Sequence, residues 1–555
     1  MHHSSAIVNV AARLSDRARE RPQQIAIAAP RRGMPLDRRA SYNTLSFLEL
    51  DQRTDRIARG LRSMGVERGT RLALFVPPSI DFVSLVFGLF KAGAVPVLID
   101  PGMGRGNLLA CLDEAQPQGF VGIPIVHAVR VVLRRRYARA QLNVTVGRRW
   151  FWGGTTLEQL IGGPWTGAEL ATTQANDPAA IIFTSGSTGP PKPVLYRHGN
   201  FDRQVVELRD QYRVAAGEID LPAFPLFGLF NAAMGVTTVL PDMDPTRPAR
   251  ARPANIIAAL NAWQVTQAFA SPAVWSRVGP YCLERGIRLP SLRRVLSAGA
   301  PIDPRLLEAM QSCIADDGEI HTPYGATEAL PVSTIGSREV IAETQHAWRL
   351  GRGTCVGRRF PGVDWRVIAI EDQPIATIDQ ARELPTGEIG ELIVRGPVVT
   401  TYYERPEANK LAKIDDPHAA DGPTFWHRMG DVGYFDEQQR FWFCGRKAHR
   451  VITAAGTLFT DPVEGIINQH ADILRSALVG VGPRGSQQPV VIVELRRPRR
   501  DRAALIDELR QLAAQHEPAR SIEHFLIHGP LPVDVRHNAK INREKLAVWA
   551  QHRLG

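Results

Sequence analysis

The chain has 555 residues, 44% of them apolar and 22% charged, which excludes a disordered or fibrous protein. That length exceeds what one hydrophobic core usually serves, so a large composite body with at least one further domain is expected. A net charge of +11 and a pI near 9.7, carried mostly by arginine, suit an anionic substrate, a nucleotide, an acidic partner or a membrane surface without choosing among them.

The opening MHHSSAIVNV lacks the basic region, long apolar run and small-residue cleavage site of a signal peptide. Helical spacing over 48–64, an apolar strand over 71–76 and a second helix over 81–92 come next. The longest apolar stretch, FVSLVFGLFKAGAVPVLID (82–100), is broken by Lys91, Gly93 and Pro96, so it reads as a buried helix followed by a strand and predicts no transmembrane segment. This alternation predicts a largely parallel sheet. The strand AAIIF (179–183) runs into a polar loop, and helical spacing resumes over 198–212. Strand signals recur at 265–270 and 294–297. From 362 to 442 short strands broken by Gly and Pro, such as 365–370 and 388–395, predict an antiparallel or barrel-like piece. Past a boundary near Arg446, strands at 477–482, 490–495 and 525–527 and a helix at 502–514 predict a compact α+β unit. The arginine runs at 134–136 and 496–502 read as solvated faces.

The five cysteines, Cys111, Cys282, Cys313, Cys355 and Cys444, are scattered, odd in number and without a CxxC pair. That pattern favours a reducing cytosol over a disulfide scaffold and predicts a cytoplasmic protein.

The loop TSGSTGPPK (184–192) concentrates hydroxyls, glycines and a lysine directly after a buried strand, where backbone N–H groups can converge on phosphate oxygens. Its spacing is not that of the GxxxxGK[ST] nucleotide loop, and no Ser or Thr follows Lys192. The loop resembles the signature of the adenylate-forming superfamily of acyl-CoA synthetases, luciferases and peptide-synthetase adenylation domains. Further segments of that superfamily come in order: SAGAP (297–301), YGATE (324–328), HRMGD (427–431), FCGRK (443–447) and PVDVRHNAKINR (532–543), the last with Ala539 where glycine is usual.

The resemblance implies a nucleotide site made of Thr184, Ser185, Gly186, Ser187, Thr188, Gly189 and Lys192 for phosphate, and Gly299, Ala300, Pro301, Tyr324 and Gly325 around adenine. It further implies Thr327 on the α-phosphate, Glu328 on Mg²⁺, Asp431 and Arg446 on the ribose, and Lys540 as the lysine that neutralises the adenylation transition state. The fold implied is α/β: an N-terminal domain (1–445) of parallel-rich sheets with helices and a barrel-like subdomain at about 360–445, a hinge at 446–448, and a small mobile α+β lid (449–555). ATP and Mg²⁺ are the implied cofactors.

Three departures bear on the substrate. The segment PLFGLFN (225–231), with Phe227, Gly228 and Phe230 as acyl-pocket candidates, has Gly228 where acyl-CoA synthetases usually carry histidine, which would make room for a branched acid. The hinge position is Ala448 where Asp or Lys is usual, and Pro193 follows Lys192 where glycine is usual. The stretches PDMDPTRPA (241–249), HTPYGATEALPV (321–332), HRMGDVGYFD (427–436) and PVDVRHNAKINREKLAVWA (532–550) resemble the β-lactone synthetases of bacterial long-chain olefin biosynthesis, the OleC type.

That resemblance implies conversion of a 2-alkyl-3-hydroxy long-chain fatty acid and ATP to a β-lactone, AMP and pyrophosphate. A multienzyme olefin-synthesis complex is implied as partner, and nucleic acid is not. His198 and His321 are candidate bases for the 3-hydroxyl proton. The alternatives are a long-chain acyl-CoA synthetase sharing the first half-reaction and an inactive adenylate-fold scaffold in a lipid-synthesis complex.

Overall fold

Amphipathic helices alternate with short apolar strands through the first third of the chain, and the strands assemble a seven-stranded sheet. Its order is Thr155–Thr156, Val144–Thr145, Gly119–Gly122, Arg71–Phe75, Val95–Leu98, Pro178–Phe183, Pro193–Arg197. Every neighbour pair is parallel except the last, a hairpin that carries the 184–192 loop. The computed structural model describes residues 7–184, 191–401, 406–419, 423–533 and 540–554. The sequence pattern reads strand, loop, helix here, but a strand, Pro193–Arg197, intervenes before the helix His198–Tyr212. Pro193 costs no ladder bond that matters, because it opens the edge strand of the sheet.

A second seven-stranded sheet runs Glu319–His321, Arg294–Ser297, Gln267–Ala270, Ile219–Pro222, Thr237–Val239, Ile25–Pro30, Tyr42–Ser46, parallel up to its closing antiparallel pair. The helices Phe47–Ser63 and Ile80–Ala92 pack together in the core cluster formed with the first sheet. Ile80–Ala92 is apolar on every face and buried from Phe82 onward, as a helix with no solvent side must be. The Ser79 hydroxyl caps its start, and Gly93 ends it in the left-handed region at φ 78°. Its one buried charge, Lys91, is enclosed with Asp51 and Asp55, each carboxylate 2.6 Å from the ammonium.

The Gly- and Pro-broken stretch forms an antiparallel six-stranded sheet, Thr354–Cys355, Phe441–Arg446, Phe425–Phe435, Gly390–Arg395, Asp364–Ile368, with Lys413–Asp415 paired to Phe425–Phe435. At the C-terminal end the strands Ile473–Val481, Gln488–Leu495 and His524–His528 form a three-stranded sheet. Its two faces are covered by the helices Thr460–Ile467 and Arg502–Ala514 on one side and Arg543–Leu554 on the other, each with its own apolar cluster. This unit touches the rest of the chain through Thr354, whose hydroxyl donates to Asp461 (2.8 Å), and through the ion pair of Arg450 with Asp372 (2.7 Å).

The segments that leave the carboxyl ends of strands in both parallel sheets, among them residues 75–78, 99–101, 184, 223–224, 271, 297–301 and 322–324, line one shared cavity. That is where parallel sheets place ligand sites.

Candidate active site

Strand ends and tight turns place the polar groups. Thr184 and Lys192 close the neck of the 184–192 loop: the Thr184 N–H donates to the Lys192 carbonyl (3.0 Å) and the Lys192 N–H to the Thr184 hydroxyl (3.1 Å). Ser185, Gly186, Ser187, Thr188 and Gly189 lie outside the described residues. Tyr324 to Glu328 form the first strand and the turn of a hairpin, Thr327 and Glu328 joining the strands Tyr324–Ala326 and Ala329–Thr334. A side chain at Gly325 would meet the Ala329 carbonyl at 2.6 Å, so the turn is built for glycine. The turn is pinned from outside: Tyr196 donates to the Thr327 carbonyl, and the Thr400 N–H donates to the Glu328 carbonyl at 2.8 Å.

Asp431 and Arg446 face each other across paired antiparallel strands, which puts the guanidinium 2.7 Å from the carboxylate. The other carboxylate oxygen accepts from the Tyr324 hydroxyl, and Arg446 also donates to the Met429 carbonyl (3.0 Å). Burial and the adjacent Asp431 charge push the Tyr324 hydroxyl well above its ordinary value, so it stays protonated and donates. The Asp431 carboxylate in turn holds Arg446 firmly charged. Lys540 sits at the start of the last segment, next to Ile541, which bridges to Val533, and Arg543 anchors that segment to the buried Glu464 at 2.8 Å.

One cavity of about 1530 Å³ gathers these groups: Thr184, Lys192, Gly299, Ala300, Pro301, Tyr324, Gly325, Thr327, Glu328, Asp431, Arg446 and Lys540 all line it. Phe227 and Phe230 line it too. Gly228 does not. Its missing side chain would point to the Pro222 ring (3.0 Å) and the Thr238 methyl (3.5 Å), into the second sheet, so it makes no room beside an acyl group. Helical spacing forces this: residues one apart point some 100° away from each other, and Phe227 and Phe230 take the cavity face. His198 and His321 are also misplaced as bases. His198 is buried edge-on against Phe90 and His321 packs on Tyr212; burial lowers both to about 4, and neither lines the cavity.

The comparisons with known proteins agree with this geometry. Residues 14–404 match the model of a family described as AMP-binding enzyme. The chain belongs to that family. It is 50% identical over 549 residues to the olefin beta-lactone synthetase of Stenotrophomonas maltophilia (strain K279a), covering 98% of each chain. It is 48% identical over 552 residues, again with 98% of each covered, to the olefin beta-lactone synthetase of Xanthomonas campestris pv. campestris. Among solved structures, the amide bond synthetase McbA of Marinactinospora thermotolerans superposes with a TM-score of 0.79 at 21% identity, over 98% of this chain and 99% of that one, a likeness of fold.

For an AMP-binding enzyme the cavity has two contrasting ends. Lysines and arginines gather at one, and beside its lining residue Ala412 stands Lys413, which no motif marks. Lys413 is buried, donates to the Thr400 carbonyl and packs its ammonium 4.6 Å from the Phe425 ring centre. Burial pulls it down to about 7 against the opposing pull of the Glu328 carboxylate. His427, paired to Lys413 in register, lines the cavity as a neutral imidazole, held well below its usual value by burial and by Lys413, with Nδ1 donating to the Ala412 carbonyl (3.1 Å). Lys413 sits on a strand that carries no family signature, whereas His427 opens the HRMGD segment. The other end is apolar, with two walls: Phe82, Phe90, Leu112 and Phe120 beside the first sheet, and Phe224, Phe227, Phe230 and Phe269 beside the second.

Proposed function

We propose that this chain is an ATP-dependent β-lactone synthetase acting on a 2-alkyl-3-hydroxy long-chain fatty acid. The observation that carries the reading is the single cavity that joins the nucleotide residues to two separate apolar walls. Two walls suit an acid with two alkyl branches, and near-full-length identity to two olefin beta-lactone synthetases supports the same substrate class.

In the proposed sequence the carboxylate attacks the α-phosphorus of ATP and pyrophosphate leaves. Lys540 supplies the positive charge between the two approaching anions, and Lys192 and Thr327 meet phosphate oxygens. Asp431 accepts the ribose hydroxyls, exchanging part of its present bonding to Tyr324 and Arg446, and the Tyr324 ring lies against adenine. The acid's own 3-hydroxyl then attacks the activated carbonyl. Its C–O bond forms, the acyl–phosphate bond breaks, and AMP departs with one proton released overall. Holding the hydroxyl beside the carbonyl supplies the nucleophile without a second substrate.

Among the described residues no group of three or more His, Cys, Asp or Glu is placed to hold a metal by itself. Glu328 is therefore a single carboxylate donor, which fits an Mg²⁺ whose other ligands are phosphate and water oxygens. That ion would offset polyphosphate charge. The five buried cysteines, none in a disulfide, support a cytoplasmic setting, and an assembly with other olefin-forming enzymes is part of the same proposal. Incubation with ATP, Mg²⁺ and the hydroxy acid, with and without CoA, tests it: a lactone formed equally without CoA is expected, and product formed only with CoA defeats it.

A further inference from the structure

The arginine run at 134–136 belongs to a larger feature that the reaction does not use. From 115 to 157 the chain has seven arginines and no Asp or Glu. Arg134, Arg135, Arg136, Arg139, Arg148 and Arg149 are exposed. Among them stand large apolar side chains that a solvated face does not carry. The helix Pro124–Val132 presents Ile125, Val129 and Val132 outward at 63%, 49% and 83% exposure, with the spacing of one helical face. Trp150 and Phe151 project beside it at 57% and 79%.

These pieces form one surface. His127, on the inner side of the helix, stacks on the buried Trp152 with ring centres 5.8 Å apart, and Trp152 touches Trp150 (5.2 Å) and Phe151 (5.4 Å). The Trp152 indole donates to Thr145 in the first sheet (3.0 Å), which fixes the aromatic turn to the body. Ile125 and Val129, although exposed, also line the cavity, together with Arg130. The apolar end of the cavity therefore opens to solvent at the middle of this face.

We infer that the helix Pro124–Val132 and the Trp150–Trp152 turn form a docking surface for an anionic lipid bilayer, with the mouth of the acyl cavity set against the membrane. An amphipathic helix with arginine beside its apolar stripe, flanked by an indole, has the composition of an interfacial membrane contact. The charge complements anionic headgroups, and each arginine contributes a factor of about five in partition. An acidic protein partner would match the charge, but a mouth at the centre of the patch favours the phase in which a two-chain acid dissolves. The identity of the cavity's occupant rests on the function proposed above. Vesicle binding is read without turnover, so its failure and the failure of the reaction are separate results.

The test is co-sedimentation of the full chain, at low salt, with vesicles of equal parts phosphatidylglycerol and phosphatidylethanolamine, and with phosphatidylcholine alone. Binding to the anionic vesicles, weakened by added salt and much lower on phosphatidylcholine, is expected. The double variant Arg134→Glu/Arg135→Glu should bind at least about 25-fold more weakly, and Trp150→Ser/Phe151→Ser at least about tenfold. Both pairs are exposed and outside the cavity lining, so thermal midpoints and ATP binding should match the unaltered chain. No sedimentation of the unaltered chain with anionic vesicles overturns the inference and leaves the face to a protein. Folded double variants that bind as the unaltered chain does overturn it equally.

Discussion

At the polar end of the cavity the residues arrive in short contiguous runs: two strand-to-loop exits, one hairpin turn and one pair of facing strands hold Thr184, Lys192, Tyr324 to Glu328, Asp431 and Arg446. At the apolar end single side chains come from many elements, for example Phe90 from Ile80–Ala92, Leu112 from Arg105–Ala115, Val129 from Pro124–Val132 and Phe230 from Pro225–Met234. The contrast has a physical cause. A phosphate needs N–H groups, hydroxyls and charges at fixed short distances, which a few adjacent residues supply best. A hydrocarbon needs only volume without polar groups, and any large apolar side chain at the right place serves.

The largest effect expected from breaking the polar end is at Lys540. Lys540→Ala should lower the AMP-forming rate by roughly 10²- to 10³-fold while ATP still binds; a rate near that of the unaltered chain would remove Lys540 from its assigned role. Asp431→Asn comes next. It keeps the shape but loses the charge that holds Arg446 and meets the ribose, so kcat/KM for ATP should fall about 10- to 100-fold, carried mainly by KM. Steady-state kinetics at varied ATP separates the two parameters, and a fall confined to kcat would contradict a binding role.

The contact of the C-terminal unit with the body gives a pH test of the same end. Burial raises Asp461 from 3.8 to about 7, where it accepts from Thr354. Burial penalises the ionised form, so the contact has its full strength below about 3.8, weakens by up to about tenfold per pH unit as pH rises from there to about 7, and levels off above that. Adenylation should fall along that limb, and Asp461→Asn should flatten it. A limb that persists in the variant would place its origin elsewhere.

At the apolar end effects should be smaller and selective. Phe230→Ala enlarges the cavity wall and should cost about tenfold in kcat/KM for one acid relative to one of different chain length, with ATP kinetics unmoved. Gly228→Ala should do least. The helix gains about 1 kcal/mol while the Pro222 ring must yield a few tenths of an ångström, so the thermal midpoint should barely move. Preference between branched and unbranched acids should not change; a changed preference would return Gly228 to the acyl pocket.

The same contrast decides what could be read in the sequence. The helices at 198–212 and 502–514 and the strand at 294–297 coincide with the observed elements, because their hydrophobic periods and bounding turn residues are local signals. The described nucleotide candidates all reach one cavity for the same reason: each was carried by a contiguous segment. Gly228 was misread because composition gives a residue's size and not its direction on a helix. His198 and His321 were misread because burial and neighbours are set by distant packing. Lys413 stayed hidden because its partner, the Thr400 carbonyl, and the nearby Glu328 come together only in the fold. The opening of the cavity beside Val129 was equally illegible, since it depends on two sheets and the helices between them.

The most direct measurement uses a matched pair of acids, a 2-alkyl-3-hydroxy fatty acid and its 3-deoxy analogue, in single-turnover reactions with ATP and no CoA. If adenylation at the polar end is followed by closure through the acid's own hydroxyl, both acids release pyrophosphate at similar rates. Only the hydroxy acid then releases AMP with a β-lactone, while the deoxy acid stalls as the bound acyl adenylate. Equal AMP release from both acids, or no lactone from the hydroxy acid, would contradict it.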